Sequence, residues 1–275
     1  MTTTPESAGS PRRFPGRRAI VTGASRGIGP AIAERLAAEG ASVVLTARTL
    51  DHHDHLAGSL RETLERCRRH GTTVEVVAAD LADPADRARV VPEAVALLGG
   101  PIDILVNNAA AGIHNPMAEF PLRRRQIMFE VNLEAPIDLA QAVIPAMREQ
   151  GEGWIVTLSS GGARLVEGPP FKASALGTTN GIYGATKAAL NRVTNALGAE
   201  LYGSGIRVNT LEPTRPVATE GAIAHLGDAL AADVFAPVSV IVEAAMALCD
   251  CPPERTGRVH SDSELLAELG IALPQ

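Results

Sequence analysis

A tyrosine and a lysine four positions apart are the residues of this chain with the clearest chemical potential. Tyr183 and Lys187 stand in a stretch of helical spacing, where residues i and i+4 share one face. A nearby ammonium favours the phenolate, so we expect Lys187 to lower the pKa of Tyr183 toward working pH. Such a tyrosine can give a proton to a carbonyl oxygen, or take one from an alcohol, while hydride moves at carbon. The pair alone is common, and its weight comes from its place after the fifth predicted strand.

A glycine-rich turn after the first predicted strand is a second candidate site. Residues 22–29 read TGASRGIG, and a helix is predicted to follow. Glycines permit a tight turn and the close approach of a pyrophosphate, which the free N–H groups of a helix N-terminus favour. The spacing is G-x-x-x-G-x-G and not G-x-G-x-x-G, so a purely structural turn stays open. The cofactor contacts predicted here are Gly23, Ser25, Arg26, Gly27, Ile28 and Gly29.

The end of the second predicted strand indicates which dinucleotide binds. Proteins that bind NAD carry a carboxylate about 20 positions after the glycine turn, but this strand ends in Ala47-Arg48. A carboxylate would repel a 2′-phosphate, whereas an arginine pairs with it. Arg26 offers a second guanidinium, so we predict NADP(H) in preference to NAD(H). The alternative is that both arginines are merely solvent-exposed.

Strand-like and helix-like segments alternate along the rest of the chain. Continuous apolar runs alternating with amphipathic stretches predict a parallel sheet covered on both faces, a Rossmann-like, doubly wound, three-layer α/β/α fold. Residues 1–16 are polar and aperiodic and predict a disordered tail, which leaves 17–275 as a single domain. The predicted strands are 19–21, 42–46, 74–77, 102–106, 154–158 and 206–211, and the predicted helices are 31–39, 59–70, 85–98, 127–147 and 185–202.

Taken in order, the motifs resemble those of the short-chain dehydrogenase/reductase family, in its shorter single-domain branch. The resemblance spans roughly residues 17–260. It includes the glycine turn, Asp80 before Leu81 (like the family's aspartate that contacts the adenine edge), the N-N-A run at 107–109, Asn132 in V-N-L, the second serine of Ser159-Ser160, and the Y-x-x-x-K of Tyr183 and Lys187. Six ordered motifs are specific together, where each alone is not. The family pattern implies further cofactor contacts at Asp80, Leu81, Asn108, Ala109, Pro213, Thr219, Tyr183 and Lys187.

The resemblance also implies a division of labour among four catalytic residues. Tyr183 is the general acid/base, and Lys187 lowers its pKa and binds the nicotinamide ribose hydroxyls. Ser160 hydrogen-bonds the substrate oxygen, and Asn132 holds a water that passes protons toward Lys187. The alternatives are that Ser160 merely caps a strand end and that Asn132 merely satisfies backbone groups.

The sequence departs from the family pattern in three places. Ala110 stands where the family has glycine, so a methyl group is expected to crowd or shift the cofactor. Thr214 follows Pro213 where the family has glycine, and this segment is one residue longer before Thr219. The family also places its serine and tyrosine closer together than Ser160 and Tyr183. The extra length makes residues 161–181 a candidate substrate flap, with a disordered insertion as the alternative.

Composition bears on the partners, the disulfides, the metals and the location that we expect for the protein. The chain has 275 residues with 45% apolar composition and a formal net charge of -6, which argues against nucleic acid or an anionic membrane as a partner. Three cysteines do not suggest a disulfide framework. The histidines at 52, 53 and 55 lack a second ligand set, so no metal is predicted. With neither a signal peptide nor a membrane span in view, we predict a cytoplasmic protein.

Two functions of different class remain. The first is an oxidoreductase that reduces a carbonyl, or oxidises a secondary alcohol, on a small or medium apolar substrate; oxoacyl thioesters, steroids, sugars and xenobiotic ketones all stay open. The second is a catalytically silent dinucleotide-binding regulator or scaffold with the same fold, favoured by Ala110 and Thr214 and opposed by the intact Ser160, Tyr183 and Lys187. The resemblance further implies a homo-oligomer, a dimer or a tetramer.

Overall fold

A parallel sheet is the framework of the molecule. The computed structural model describes residues 12–51, 57–171, 180–220, 222 and 232–273. Within them the strands pair in parallel in the order β3-β2-β1-β4-β5-β6-β7. They are β1 (Arg18–Thr22), β2 (Ser42–Ala47), β3 (Val74–Ala78), β4 (Ile104–Asn107), β5 (Gly153–Leu158), β6 (Ile206–Glu212) and β7 (Val259–Ser261).

Helices cover both faces of this sheet. Because side chains alternate along a strand, Val21 and Val43 enter one core and Ile20 and Val44 enter the other. The described helices are α1 (Ile28–Ala38), α2 (Leu60–Arg68), α3 (Pro84–Leu98), α4 (Leu122–Phe129), α5 (Ala135–Gln150), α6 (Gly181–Glu200), α7 (Val238–Leu248) and α8 (Asp262–Glu268). The predicted Rossmann-like, three-layer fold is confirmed. None of the described helices is both long enough and apolar enough to cross a membrane.

The strand order reverses between β1 and β4, and this is the switch point where such sheets bind ligands. The hydroxyl oxygen of Thr22, at the end of β1, accepts the backbone N–H groups of Asn108 and Ala109, each at 3.0 Å. The Asn108 side chain donates back to the Thr22 carbonyl at 2.8 Å. These bonds join the glycine turn to the loop after β4, so the two predicted cofactor segments form one unit.

Several boundaries differ from the sequence prediction. Residues 12–16, which the sequence analysis assigned to a disordered tail, belong to the fold, whereas residues 1–11 lie outside the described residues. Phe14 is only 2% exposed, and its N–H donates to the Glu39 carbonyl at 2.9 Å. A large aromatic ring that reaches the core holds this segment against the domain. The single helix predicted over 127–147 is instead α4, a π-helical turn (Glu130–Glu134) and α5. The sequence analysis also missed α7 and β7.

Candidate active site

The backbone conformation and close packing of the glycine turn require glycine. Gly23 and Gly27 have φ of 66° and 72°, a region that residues with a Cβ rarely adopt. A Cβ on Gly29 would lie 2.4 Å from the Gly23 carbonyl oxygen and 2.5 Å from the Asn108 amide nitrogen. Helix α1 then begins with neither a side-chain cap nor an acidic residue in its first turn. This donor set and this close backbone packing fit a dinucleotide pyrophosphate.

A carboxylate from another segment lies on this helix terminus. The N–H of Gly27 donates to Oε2 of Glu220 at 3.1 Å, and Glu220 itself is exposed. The neighbouring Thr219 lies beside the same turn, 3.6 Å from where a Cβ of Gly27 would stand. Sequence reasoning missed Glu220 because nothing local marks it as a ligand of a helix far away in the chain.

The two arginines of the cofactor prediction differ in their surroundings. Arg26 is engaged within the protein: its guanidinium donates to the carbonyls of Ala57 and Gly58, each at 3.2 Å, and to the Thr49 hydroxyl at 3.3 Å. Arg48 is exposed and forms no hydrogen bond or ion pair with the described residues. Among the described residues the guanidinium of Arg48 therefore has no partner, whereas that of Arg26 is bonded to the loop at 57–58.

Asp80 and Leu81, two of the predicted cofactor contacts, follow the end of β3. Oδ1 of Asp80 accepts the Ala82 N–H at 3.0 Å, and the Asp80 N–H donates to Asp86 at 2.7 Å. That backbone bond is the largest cause that lowers the pKa of Asp86. Leu81 is buried at 5% exposure. The turn that carries both predicted residues is thus fixed by its own hydrogen bonds.

The three central catalytic candidates meet at the carboxyl edge of the sheet. Ser160 follows β5, and its hydroxyl oxygen accepts the Gly162 N–H at 3.1 Å and hydrogen-bonds with Tyr183. Lys187 lies one turn further along α6 and is 2% exposed. Its Nζ donates to the Leu158 carbonyl at 2.8 Å and lies 5.9 Å from the centroid of the Tyr183 ring.

The electrostatics of this group differ in part from expectation. Burial lowers the pKa of Lys187 from 10.5 to about 8. Burial also raises the pKa of Tyr183, and the hydrogen bond with Ser160 acts in the opposite direction. The expected lowering of the tyrosine pKa by Lys187 is therefore wrong for this structure, because burial dominates the shift and the opposing influence comes from Ser160. At neutral pH the phenol is protonated.

Asn132 is a junction between three parts of the site. The side chain is fully buried in the π-helical turn. Its Oδ1 accepts the Ala111 N–H at 2.7 Å, and its Nδ2 lies 3.0 Å from both the Ala111 carbonyl and the Thr186 hydroxyl oxygen. The Thr186 hydroxyl in turn donates to the Tyr183 carbonyl at 2.7 Å. The water that the family resemblance implies at Asn132 stays a prediction.

The departure at Thr214 has a structural partner. The N–H and the hydroxyl of Thr214 both donate to Oδ1 of Asp262, at 2.9 Å and 2.6 Å. Asp262 is 1% exposed and begins α8. The segment from Pro213 onward is therefore tied to the C-terminal helix, and a glycine at 214 would lose the hydroxyl half of that tie. The predicted role of Thr219 at the nicotinamide amide stays a prediction.

Only part of the candidate flap is described. Arg164 forms an ion pair with Glu212, which is 3% exposed, and so fastens the start of this loop to β6. Leu165 and Phe171 are exposed, whereas 172–179 and the histidines of the segment 52–56 lie outside the described residues. His114, which sequence reasoning also missed, lies with its ring 5.9 Å from the Tyr183 ring.

Comparison with known proteins agrees with this geometry. The family model described as short chain dehydrogenase matches residues 17–225. L-xylulose reductase of Bos taurus is 38% identical over 205 residues, 74% of this chain and 72% of the relative.

Two solved structures are similar to this chain over most of its length. A short chain dehydrogenase from Burkholderia cenocepacia in complex with NADP has a TM-score of 0.73 and 31% identity, over 90% of this chain and 97% of that one. A 3-oxoacyl (acyl-carrier-protein) reductase from Agrobacterium tumefaciens with NADP bound has a TM-score of 0.75 and 27% identity, over 90% and 93%.

Proposed function

The chain belongs to the short-chain dehydrogenase family of oxidoreductases, and on that premise we propose that it reduces a carbonyl group, or oxidises the corresponding secondary alcohol, with NADP(H). The observation that carries this proposal is the meeting of Ser160, Tyr183 and Lys187 at the carboxyl edge of the sheet. That edge also carries the glycine turn, so substrate and cofactor groups have a common site.

Each residue has a distinct task in the proposed reaction. The nicotinamide ring, when bound, supplies or accepts the hydride. Tyr183 gives its phenolic proton to the substrate oxygen during reduction and takes it back during oxidation. Ser160 holds the substrate oxygen by a hydrogen bond, and Lys187 binds the nicotinamide ribose hydroxyls. Because burial raises the pKa of Tyr183, the proton-donating form prevails at neutral pH, which supports the reductive direction.

The proposed preference for NADP(H) rests on Arg48. This guanidinium is exposed at the end of β2 and has no partner among the described residues, so it is available to a 2′-phosphate. The NADP found in the relatives from Burkholderia cenocepacia and Agrobacterium tumefaciens supports the same choice. Arg26, whose described bonds go to the loop at 57–58, is proposed to act indirectly by shaping the arginine site.

The proposed substrate is a small or medium apolar carbonyl compound. Beside Tyr183 lies an apolar cluster of Phe120, Met128 and Ile182. The side chain of Met117 lies 2.8 Å from where a Cβ of Gly181 would stand. Such walls favour apolar groups near the reacting carbon. The predicted substrate-side helix falls largely on 223–231, outside the described residues.

The cofactor experiment compares the dissociation constants of NADPH and NADH by calorimetry for the wild type, Arg48→Ala and the control Arg123→Ala. Arg123 is an exposed arginine on α4. We expect NADPH to bind about tenfold tighter than NADH, since a charge-assisted arginine–phosphate pair contributes that much. Arg48→Ala should remove this advantage and the control should keep it. Equal affinities in the wild type would overturn the preference.

The catalytic experiment compares the wild type with Tyr183→Phe on a panel of apolar ketones with NADPH. Tyr183→Phe should lower the rate about 10²–10⁴-fold, because the proton donor is lost, while NADPH affinity stays measurable. NADPH binding without turnover on any ketone, unaltered by Tyr183→Phe, would favour the silent regulator instead.

A further inference from the structure

A buried arginine on α3 connects elements on both sides of the candidate site. Arg87 is 6% exposed. Its Nε lies 2.7 Å from Oδ2 of Asp138 on α5, and its Nη1 lies 2.6 Å from Oε2 of Glu130. The same Nη1 donates to the Leu81 carbonyl at 3.0 Å. A guanidinium held by three acceptors from three segments fixes their relative positions, because its donors form a rigid planar fork.

Glu130 is the first residue of the π-helical turn. A π turn is a rare interruption of an α-helix and is frequent at functional sites. Arg87 holds this turn from outside, at the end of the turn where α4 stops. Two residues later the same turn carries Asn132, whose side chain binds the loop after β4 at Ala111 and helix α6 at Thr186.

The contacts therefore form a continuous path from α3 to the reacting groups. Arg87 holds Glu130, the turn holds Asn132, and Asn132 holds Ala111 on one side and the helix of Tyr183 on the other. We propose that Arg87 is a positioning residue for the nicotinamide end of the site, acting through Glu130 and Asn132. The role in cofactor binding rests on the proposed function, whereas the contact path itself can be tested in the free protein.

Two features of the chain allow an experiment to distinguish a positioning role of Arg87 from general structural support. Arg87 has two carboxylate partners of similar exposure, with side chains 38% and 42% exposed, and only Glu130 belongs to the turn. Arg89, on the same helix, pairs with Asp86 and Glu93 of that helix and donates to the Ala78 carbonyl at the end of β3, and it has no described contact with the π turn or with Asn132. Glu130→Ala and Asp138→Ala are thus a matched pair, and Arg89→Met is the matched control for Arg87→Met.

The first experiment is amide hydrogen exchange of the free protein, followed at Ala111, whose N–H is bonded to Asn132. We expect Glu130→Ala and Arg87→Met to speed this exchange about tenfold, as for coupled residues of one network. Asp138→Ala and Arg89→Met should leave it near the wild-type rate. If Arg87→Met does not fold, the two carboxylate variants still decide. Equal effects of Glu130→Ala and Asp138→Ala, or no effect of Glu130→Ala, would overturn the proposal.

The second experiment is a double-mutant cycle on the NADPH dissociation constant. Glu130→Ala should weaken NADPH about tenfold in the wild-type background and by less than about twofold in the Asn132→Ala background, because the path is already cut there. Additive effects would contradict the path through Asn132. A protein that binds no NADPH at all would refute the proposed function, and the exchange measurement would still report on Arg87.

Discussion

Lys187 shows how one residue sets the conditions under which the site works. Its ammonium is enclosed by the protein, and its described hydrogen bond goes to the Leu158 carbonyl. Desolvation therefore lowers its pKa from 10.5 to about 8. The lysine is cationic below that pH and neutral above it. Tyr183, whose pKa is raised, stays protonated through the same range, so Lys187 is the group that titrates.

We predict that NADPH affinity falls as the pH rises above about 8. The neutral amine loses its charge-assisted bonds to the ribose hydroxyls, so the dissociation constant should rise by up to about tenfold per pH unit. Calorimetry between pH 7 and 9.5 measures this. Lys187→Arg, which stays charged throughout, should show a flat profile even where its absolute affinity is lower. A wild-type profile as flat as that of Lys187→Arg would refute the assignment.

Sequence reasoning located the residues whose relation is local and missed those whose partners are distant. Tyr183 and Lys187 share a helix, so their spacing alone predicts their proximity. The tie between Thr214 and Asp262 and the place of Arg87 depend on how elements pack, and no local pattern encodes that. The direction of the Tyr183 pKa was wrong for the same reason, since desolvation is a property of the assembled fold.

At the scale of elements, the segment after β6 meets the N-terminus of α1. The Glu220 carboxylate accepts the Gly27 N–H, which is one of the groups that a pyrophosphate is expected to use. An anion at a helix N-terminus is stabilised by the helix dipole. In the proposed binding mode Glu220 therefore competes with the cofactor for the same donor, and we expect it to leave when the dinucleotide binds.

Glu220→Gln should consequently bind NADPH more tightly than the wild type. The neutral amide loses the interaction of the carboxylate with the helix dipole, about 0.3–1 kcal/mol, so we expect an affinity about twofold to fivefold higher. Glu254→Gln makes the same charge change at an exposed position on the loop before β7 and should have no effect. Unchanged or weaker binding by Glu220→Gln would show that the contact does not lie in the path of the cofactor.

The elements themselves were predictable where their pattern is simple. The strands β1, β2, β4 and β5 are largely buried on both faces and show as mainly apolar runs. Helix α7 is apolar on most of its surface, so it lacks the amphipathic period that reveals a helix. The π turn is five residues long and β7 is three residues long. Neither offers a period to detect.

At the scale of the whole molecule, an open groove between α5 and α6 is the feature that bears on assembly. Its walls carry Ile137 and Ala140 from α5 and Val193, Ala196 and Leu197 from α6. Ala196 and Leu197 are partly exposed, and small residues permit a second helix pair to approach closely. A second copy of the chain presents the same surface, as the twofold interface of a homo-oligomer requires.

We therefore predict a homo-oligomer that Val193→Asp dissociates. Twofold symmetry would bring two unpaired carboxylates into an apolar interface, at a cost of several kcal/mol that association cannot offset. Light scattering after size exclusion should give a multiple of the 28.6 kDa chain for the wild type and a smaller species for the variant. Leu97→Asp, the same kind of change at an exposed leucine of α3, should leave the mass unchanged. If both variants keep the wild-type mass, the copies associate through another face. Helix α6 forms one wall of the groove and also carries Tyr183 and Lys187. We therefore expect the Val193→Asp monomer to lose activity when it loses its partner.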